Sequence, residues 1–362
     1  MTRTHTRPRT VLSLSALALL ITGGLLFAGP IDPPAGPVTP TYQTLTEVEP
    51  RTAINLTNTP GDATSLFKIT QPGSYYLTGN ITGVVGKHGI AIAASGVTLD
   101  LNGFDLVGVP AMGAFDGVST TGSFLTNVAV INGSVRNWGH EGVDLGTFLT
   151  TNCRVEGVLA SGNTGNGIIT GNGSTVTNCS AYQNTGNGIS TSTGCTISNC
   201  SAFQNTLNGI STSTGCTVSN CSASFNTGSG ISVSTGCTVT DCIARSNTLD
   251  GIVCSSSCII HGNACSSNGN GAGDGAGIHA TSTDNRIEGN NCTSADRGID
   301  VDVAGNIIIR NTCSGNTTDW VIVANNVVGP ILDRRAPASV AISGFSFVGS
   351  LGSTDPNANF SY

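Results

Sequence analysis

The sequence predicts an all-β fold, a right-handed parallel β-helix: a solenoid of about 10–11 coils with repeats of roughly 21 residues. Three observations predict it. Gly followed by an aliphatic residue recurs at a fixed step, and columns of Asn and Cys repeat with the same period. The composition, 49 Gly with 10% charged and 5% aromatic residues, suits short strands and tight turns better than helices or disorder.

The repeat is the strongest signal. Gly167-Ile168, Gly188-Ile189, Gly209-Ile210, Gly230-Ile231 and Gly251-Ile252 are each 21 residues apart. Gly277-Ile278 follows after 26 residues and Gly298-Ile299 after another 21, while Gly89-Ile90, Gly117-Val118 and Gly142-Val143 are looser earlier copies. One unit, residues 187–206, contains three short β-prone pieces separated by Gly and Asn, with no helical period. No unit has enough apolar residues to fold alone. Stacking units about 4.8 Å apart pairs each strand with its copies and buries the aliphatic column. Ten such marks give a rod on the order of 50 Å long.

Two Asn columns support the stacking: Asn163, Asn184, Asn205, Asn226, Asn247 and Asn268, and then Asn178, Asn199, Asn220 and Asp241, with Asn102 and Asn132 as earlier members. Such residues sit at bends, tolerate unusual backbone angles and hydrogen-bond along the stack. The 13 Cys obey the same period. Cys179, Cys200, Cys221 and Cys242 form one column, extended by Cys153, Cys265, Cys292 and Cys313; Cys195, Cys216, Cys237 and Cys258 form another; Cys254 stands apart. Stacked neighbours have parallel Cβ vectors, which fit the disulfide torsion poorly, so buried free thiols are expected. Column mates repeat along an axis and do not converge on a metal, and no histidine pair has ligand spacing.

The ends differ from the repeat. Residues 1–28, with Arg3, Arg7 and Arg9 before an apolar run, read as a signal peptide, an uncleaved membrane anchor being the alternative. Either way the remainder is exported: extracellular, cell-surface or periplasmic. Residues 29–61 are a Pro-rich linker, 62–330 the β-helix domain, and 331–362 a C-terminal cap or tail. Asp62 to Thr70 is the expected N-terminal cap, with a short helix as one form, and Trp320 to Val323 the last coil. Phe345, Phe347 and Phe360 are candidates to cover the end of the stack. The net charge of −7 becomes −10 once the three leading Arg are removed, which excludes nucleic acid and anionic lipid as partners.

The run Gly96-Val97-Thr98-Leu99-Asp100-Leu101-Asn102-Gly103-Phe104, followed by Asn-Gly-Ile coils, resembles the secreted pectate-lyase-like β-helix proteins, and in particular the right-handed β-helix repeat group. The resemblance covers about residues 66 to 330. It implies the fold and says little about function, because lyases, hydrolases, epimerases and adhesins share it.

Three surface groups are candidates for chemistry. His279 and Asp300 share a position on adjacent coils; Asp302 lies on the same face, Arg297 precedes that strand, and Asp274 and Asp284 lie on nearby loops. A carboxylate beside a His suits acid–base work, and close carboxylates suit Ca²⁺ binding or glycosidic cleavage. Asp300-Val301-Asp302 is similar to the acidic pair of polygalacturonases, although the Gly-His-Gly and Arg-x-Lys elements that accompany it there are absent. The second group is His88, Asp116 and Glu141, just before Gly on three successive coils, with His140, Asp144 and Asp100 close by. Binding is one reading of it; turn chemistry, in which Asp and Asn interchange at bends, is the other. The third is the Ser/Thr array from Ser190 to Thr193 and Ser211 to Thr214, a surface ladder or simple strand filler.

These features favour a monomeric, non-catalytic module at the cell surface or outside the cell, binding a polysaccharide or serving as a structural rod. The alternative is a polysaccharide lyase or glycoside hydrolase. No cofactor is required by either reading, with Ca²⁺ the one candidate, and membrane contact is expected only if the first segment is uncleaved.

Overall fold

The computed structural model describes residues 49–146, 149–269, 275–333, 335 and 354–362. The leading segment and most of the Pro-rich linker, Asp274, Phe345 and Phe347 lie outside the described residues. Among the described residues no helix is long and apolar enough to cross a membrane.

Residues 51–362 form one unit, a right-handed parallel β-helix. One face is a twelve-stranded parallel sheet that runs from Ser65–Ile69 to Thr318–Ile322. Twelve strands exceed the ten Gly-aliphatic marks because the first and last carry Leu66 and Asp319 where the others carry Gly. Asp62 to Thr70 is therefore not a helical cap: Ser65–Ile69 is a strand paired with His88–Ile92. The other strands join a twenty-four-stranded sheet. Its pairing begins at Thr52–Ala53 and ends at Asn359–Ser361, with Phe360 level with Thr312 and Ser361 accepting from Trp320 Nε1 at 2.9 Å.

From Gly173 to Ser246 each coil turns three corners, and at each corner one residue lies in the left-handed region. At one corner the residues are Asn132, Gly157, Asn178, Asn199, Asn220, Asp241, Gly262 and Gly289, with φ between 53° and 68°. Gly and Asn alternate there because both tolerate that angle. The Asn163 column works differently. These side chains are buried and donate Nδ2 to the next Asn Oδ1 at 2.9–3.0 Å, while the same Oδ1 accepts a backbone N–H. The ladder satisfies backbone groups that would otherwise be stranded at a corner.

The core is a set of stacked columns. Ile90, Val118, Val143, Ile168, Ile189, Ile210, Ile231, Ile252, Ile278 and Ile299 are all fully buried, and each such side chain contributes about 1.5–3 kcal/mol. The Gly before them is demanded by space. A Cβ at Gly188 would lie 2.6 Å from the Gly209 carbonyl and 2.7 Å from Asn205 Nδ2. Near the N-terminal end, Trp138 replaces this pattern. Its buried ring lies where a Cβ on Gly83 or Gly89 would sit 2.8–2.9 Å away, and Nε1 donates to the Leu106 carbonyl at 3.1 Å.

All 13 Cys are buried free thiols. Their columns differ from the expected ones. Cys179, Cys200, Cys221 and Cys242 continue as Asn263, Asn290 and Asn311, whose amides take over the same backbone N–H. Cys265, Cys292 and Cys313 instead extend the column of Ala181, Ala202, Ala223 and Ala244. Cys153 leads, through Ser174, into the Cys195 column. The period was right, but Cys153 stands two full periods before Cys195 and Cys265 one full period after Ala244, so each belongs to that column.

Candidate functional site

Strands of the twelve-stranded sheet alternate inward and outward. The outward column runs Lys68, Ala91, Ser119, Asp144, Ile169, Ser190, Ser211, Ser232, Val253, His279, Asp300, Val321. Its middle is neutral and hydroxyl-bearing; charge gathers at two stations, one near each end. Thr191 and Thr212 point inward and are buried, so within the strands the outward members of the Ser/Thr array are Ser190 and Ser211, with Thr193 and Thr214 exposed just beyond them.

At the N-terminal station the sequence reading is realised: His88, Asp116 and Glu141 stack on successive coils. Buried Asp116 is the hub. Its Oδ1 lies 2.8 Å from His140 Nδ1 and accepts the Glu141 N–H at 3.0 Å, while His88 Nδ1 lies 3.0 Å from the Asp116 N–H and 3.2 Å from Oδ2. Burial pushes the Asp116 carboxyl up, but hydrogen bonds from His88, the Glu141 N–H and His140 outweigh it and hold it below the usual carboxylate range. His140 behaves oppositely. Burial lowers it, yet its bond to Asp116 and the charges of Glu141, Asp116 and Asp144 raise it overall. Burial raises the Glu141 carboxyl, against the pull of His140 and Asn166.

This station is also part of the scaffold. Glu141 accepts from the N–H of Asn166, and Asn166, Asn187 and Asn208 each accept the N–H of the next coil through Oδ1 at 2.7–3.0 Å. The acids thus occupy the same acceptor position that Asn fills elsewhere. Asp100 does not join them. It lies on the other sheet, paired with Arg51 at 2.8 Å.

The C-terminal station also assembles. His279 and Asp300 are level on adjacent strands. His279 Nε2 lies 2.9 Å from Asp302 Oδ2 and 4.0 Å from Asp300 Oδ2, and Arg297 ion-pairs with Asp300. The Asp250 carboxylate, 3.4 Å from Nδ1, pushes the imidazole up; burial opposes it, Asp302 adds to it, and the result is about 9. Asp300 is 1% exposed, whereas half of the Asp302 side chain meets solvent. Asp284 stands apart at a corner, bonded to Thr283. Asp250 was missed by sequence reasoning, although a signal existed: it precedes Gly251, in the same register as His88, Asp116 and Glu141.

Chemically, the first station presents a half-exposed imidazole oriented by a buried carboxylate. The second presents an imidazole bridged between two carboxylates beside a neutralised third. The extra-length stretch that contains Pro110-Ala111-Met112 precedes Asp116, and the one around Gly269 to Gly275 precedes His279, so the two longest steps of the repeat each lead into a station.

Residues 116–265 match the family described as the right handed beta helix region. No protein of curated function is similar to the sequence. Solved structures are similar in fold. The A-module of Azotobacter vinelandii mannuronan C-5 epimerase AlgE6 superposes with a TM-score of 0.57 at 16% identity, over 71% of this chain and 89% of that one. The A-module of the AlgE4 epimerase of the same organism gives 0.53 at 17%, over 71% and 91%. The Agl-KA catalytic domain gives 0.53 at 14%, over 72% and 58%. Identities this low show the fold alone, a right-handed parallel β-helix.

Proposed function

We propose that this chain is an exported, non-catalytic polysaccharide-binding rod, with the outer face of the twelve-stranded sheet as its binding surface. The observation that carries the reading is the outward column. Ser190, Ser211 and Ser232 stand in register on three consecutive coils, and the carboxylate-rich stations bound them on either side. Hydroxyls repeating about every 4.8 Å, with carboxylates beyond them, offer a linear array of donors and acceptors to a chain of sugar hydroxyls. The fold is shared with modules named as mannuronan epimerases, which supports a polysaccharide as the ligand class. The net negative charge favours a neutral polysaccharide over a polyuronate. Binding is favoured over turnover because the ionisable groups are already engaged: His279 by Asp250 and Asp302, Asp300 by Arg297, Asp116 by His88 and His140.

A second reading has one observation in its favour. His140 is half-exposed and buried Asp116 holds its Nδ1, which is how an imidazole is oriented for general acid–base work. On that reading the chain is a lyase or hydrolase.

Retention of the purified chain on a panel of neutral and acidic polysaccharides, with product formation followed in parallel, tests both. Retention on a neutral polymer without new reducing ends or unsaturated products is expected. Turnover that disappears in His140→Ala establishes the enzyme instead, and absence of both retention and turnover defeats the polysaccharide reading.

A further inference from the structure

Asp250, Asp300 and Asp302 converge on His279, and Arg297 balances Asp300. With the imidazole neutral, two negative charges remain at one spot on the surface. We propose that His279 Nε2 and the carboxylates of Asp300 and Asp302 form a binding site for a divalent transition-metal ion, of the Zn²⁺ or Co²⁺ kind.

Three features of the structure support it. The donor atoms of these three residues all lie within 4.8 Å of one another, with Nε2 2.9 Å from Asp302 and 4.0 Å from Asp300. Donors bound to one ion at about 2.0–2.2 Å stand roughly 3.2–3.6 Å apart in a tetrahedral set, so small side-chain rotations bring these atoms onto a common ion. The second feature is orientation. Asp250 lies at Nδ1, on the far side of the ring, so Nε2 faces the two carboxylates; a carboxylate behind a histidine is how proteins fix the tautomer and direction of a ligating imidazole. The third is an orphan. Asp300 is 1% exposed, and its Oδ1 is buried without a hydrogen-bond partner. A buried carboxylate oxygen left unpaired is costly, and a cation beside the carboxylate removes that cost.

The donor set selects the ion. One imidazole nitrogen with carboxylate oxygens suits Zn²⁺ and its neighbours, whereas Ca²⁺ requires six to eight oxygens.

Co²⁺ titration of the chelator-stripped chain tests the proposal without reference to any glycan. One equivalent is expected to produce visible d–d bands without thiolate charge-transfer, which separates the site from the 13 buried thiols. Asp302 is half-exposed, so Asp302→Asn should keep the melting curve and weaken binding at least tenfold; Asp250→Asn should weaken it by about tenfold to a hundredfold. His279→Gln should abolish it. Sub-stoichiometric uptake, thiolate bands, or equal affinity in the His279→Gln chain would overturn the assignment, as would uptake of Ca²⁺ in place of Co²⁺.

Discussion

Replacing Asn205 by Ala should unzip the solenoid locally. The side chain donates to the Ala181 carbonyl at 3.2 Å and to Asn226 Oδ1 at 3.0 Å, and it accepts from the backbone N–H and the Nδ2 of Asn184, both at 3.0 Å. Two of its partners keep another bond: Asn184 Nδ2 still reaches Ala160, and Asn226 Oδ1 still accepts the Asn205 N–H. The Asn184 N–H keeps none and is left buried, at a cost of about 1–3 kcal/mol; the weakened amides add about 1 kcal/mol. The sum, about 3 kcal/mol, is roughly a hundredfold in the local opening constant. Because each coil touches only its neighbours, the loss concentrates between coils. Guanidinium unfolding followed by circular dichroism gives the global effect, and native-state hydrogen exchange at the Asn184 amide gives the local one. Asn199→Gly is the control. Asn199 belongs to the exposed corner column with φ 54°, where Gly is equally content, so a change within about 0.5 kcal/mol is expected. Equal effects of the two substitutions would refute the distinction between the ladders.

Three further outcomes are expected. Thr191 points inward with a hydroxyl that has no partner, whereas Val233 fills the same column two coils on; Thr191→Val should raise stability by about 1 kcal/mol in the same unfolding assay. The thiols should resist a water-soluble thiol reagent until denaturant is added, and a reductant should leave Tm unchanged. Cys254, whose pKa burial pushes up to about 12, should be among the slowest to react. Asp116, held below its ordinary pKa, contributes stability that is present above about pH 4 and lost as pH falls through its folded value. His140, raised, contributes stability that is full below about pH 6.5 and lost as pH rises through its folded value. Tm plotted against pH should therefore fall on both flanks, and Asp116→Asn should flatten both, since it removes the partner of His140; unchanged flanks in that variant contradict the hub.

The sequence made the coil legible because each unit repeats the same solution to the same problem. Gly before Ile marks the close approach of successive backbones, and Ile marks the column inside. What it left hidden follows from the same regularity. Two Asn columns with identical spacing proved to be different devices, one buried and amide-linked, the other exposed at a left-handed corner; spacing records recurrence and carries no information about burial. Cys column membership was misread because two inward positions lie two residues apart: Asn263 stands 21 residues after Cys242 and inherits its position, while Cys265 stands 21 after Ala244 and continues that column. Trp138 was invisible as a core residue, since the glycines that make room for it lie on other coils. At the stations, counting from Gly-Ile placed His279 beside Asp300 and stacked His88, Asp116 and Glu141. It missed Asp250 because a neighbour behind the ring is found only by asking which residue precedes Gly251.

A paired titration decides whether polysaccharide lies along the outer face of the twelve-stranded sheet. Affinity for the retained polymer is measured by calorimetry for the native chain, for Ser211→Glu in the middle of the outward column, and for Thr217→Glu, an exposed strand position on the other sheet. At least a tenfold loss is expected for Ser211→Glu, about 1.4 kcal/mol for one unpaired charge on the binding face, with native affinity for Thr217→Glu. Native affinity in Ser211→Glu, or a loss confined to Thr217→Glu, would contradict it.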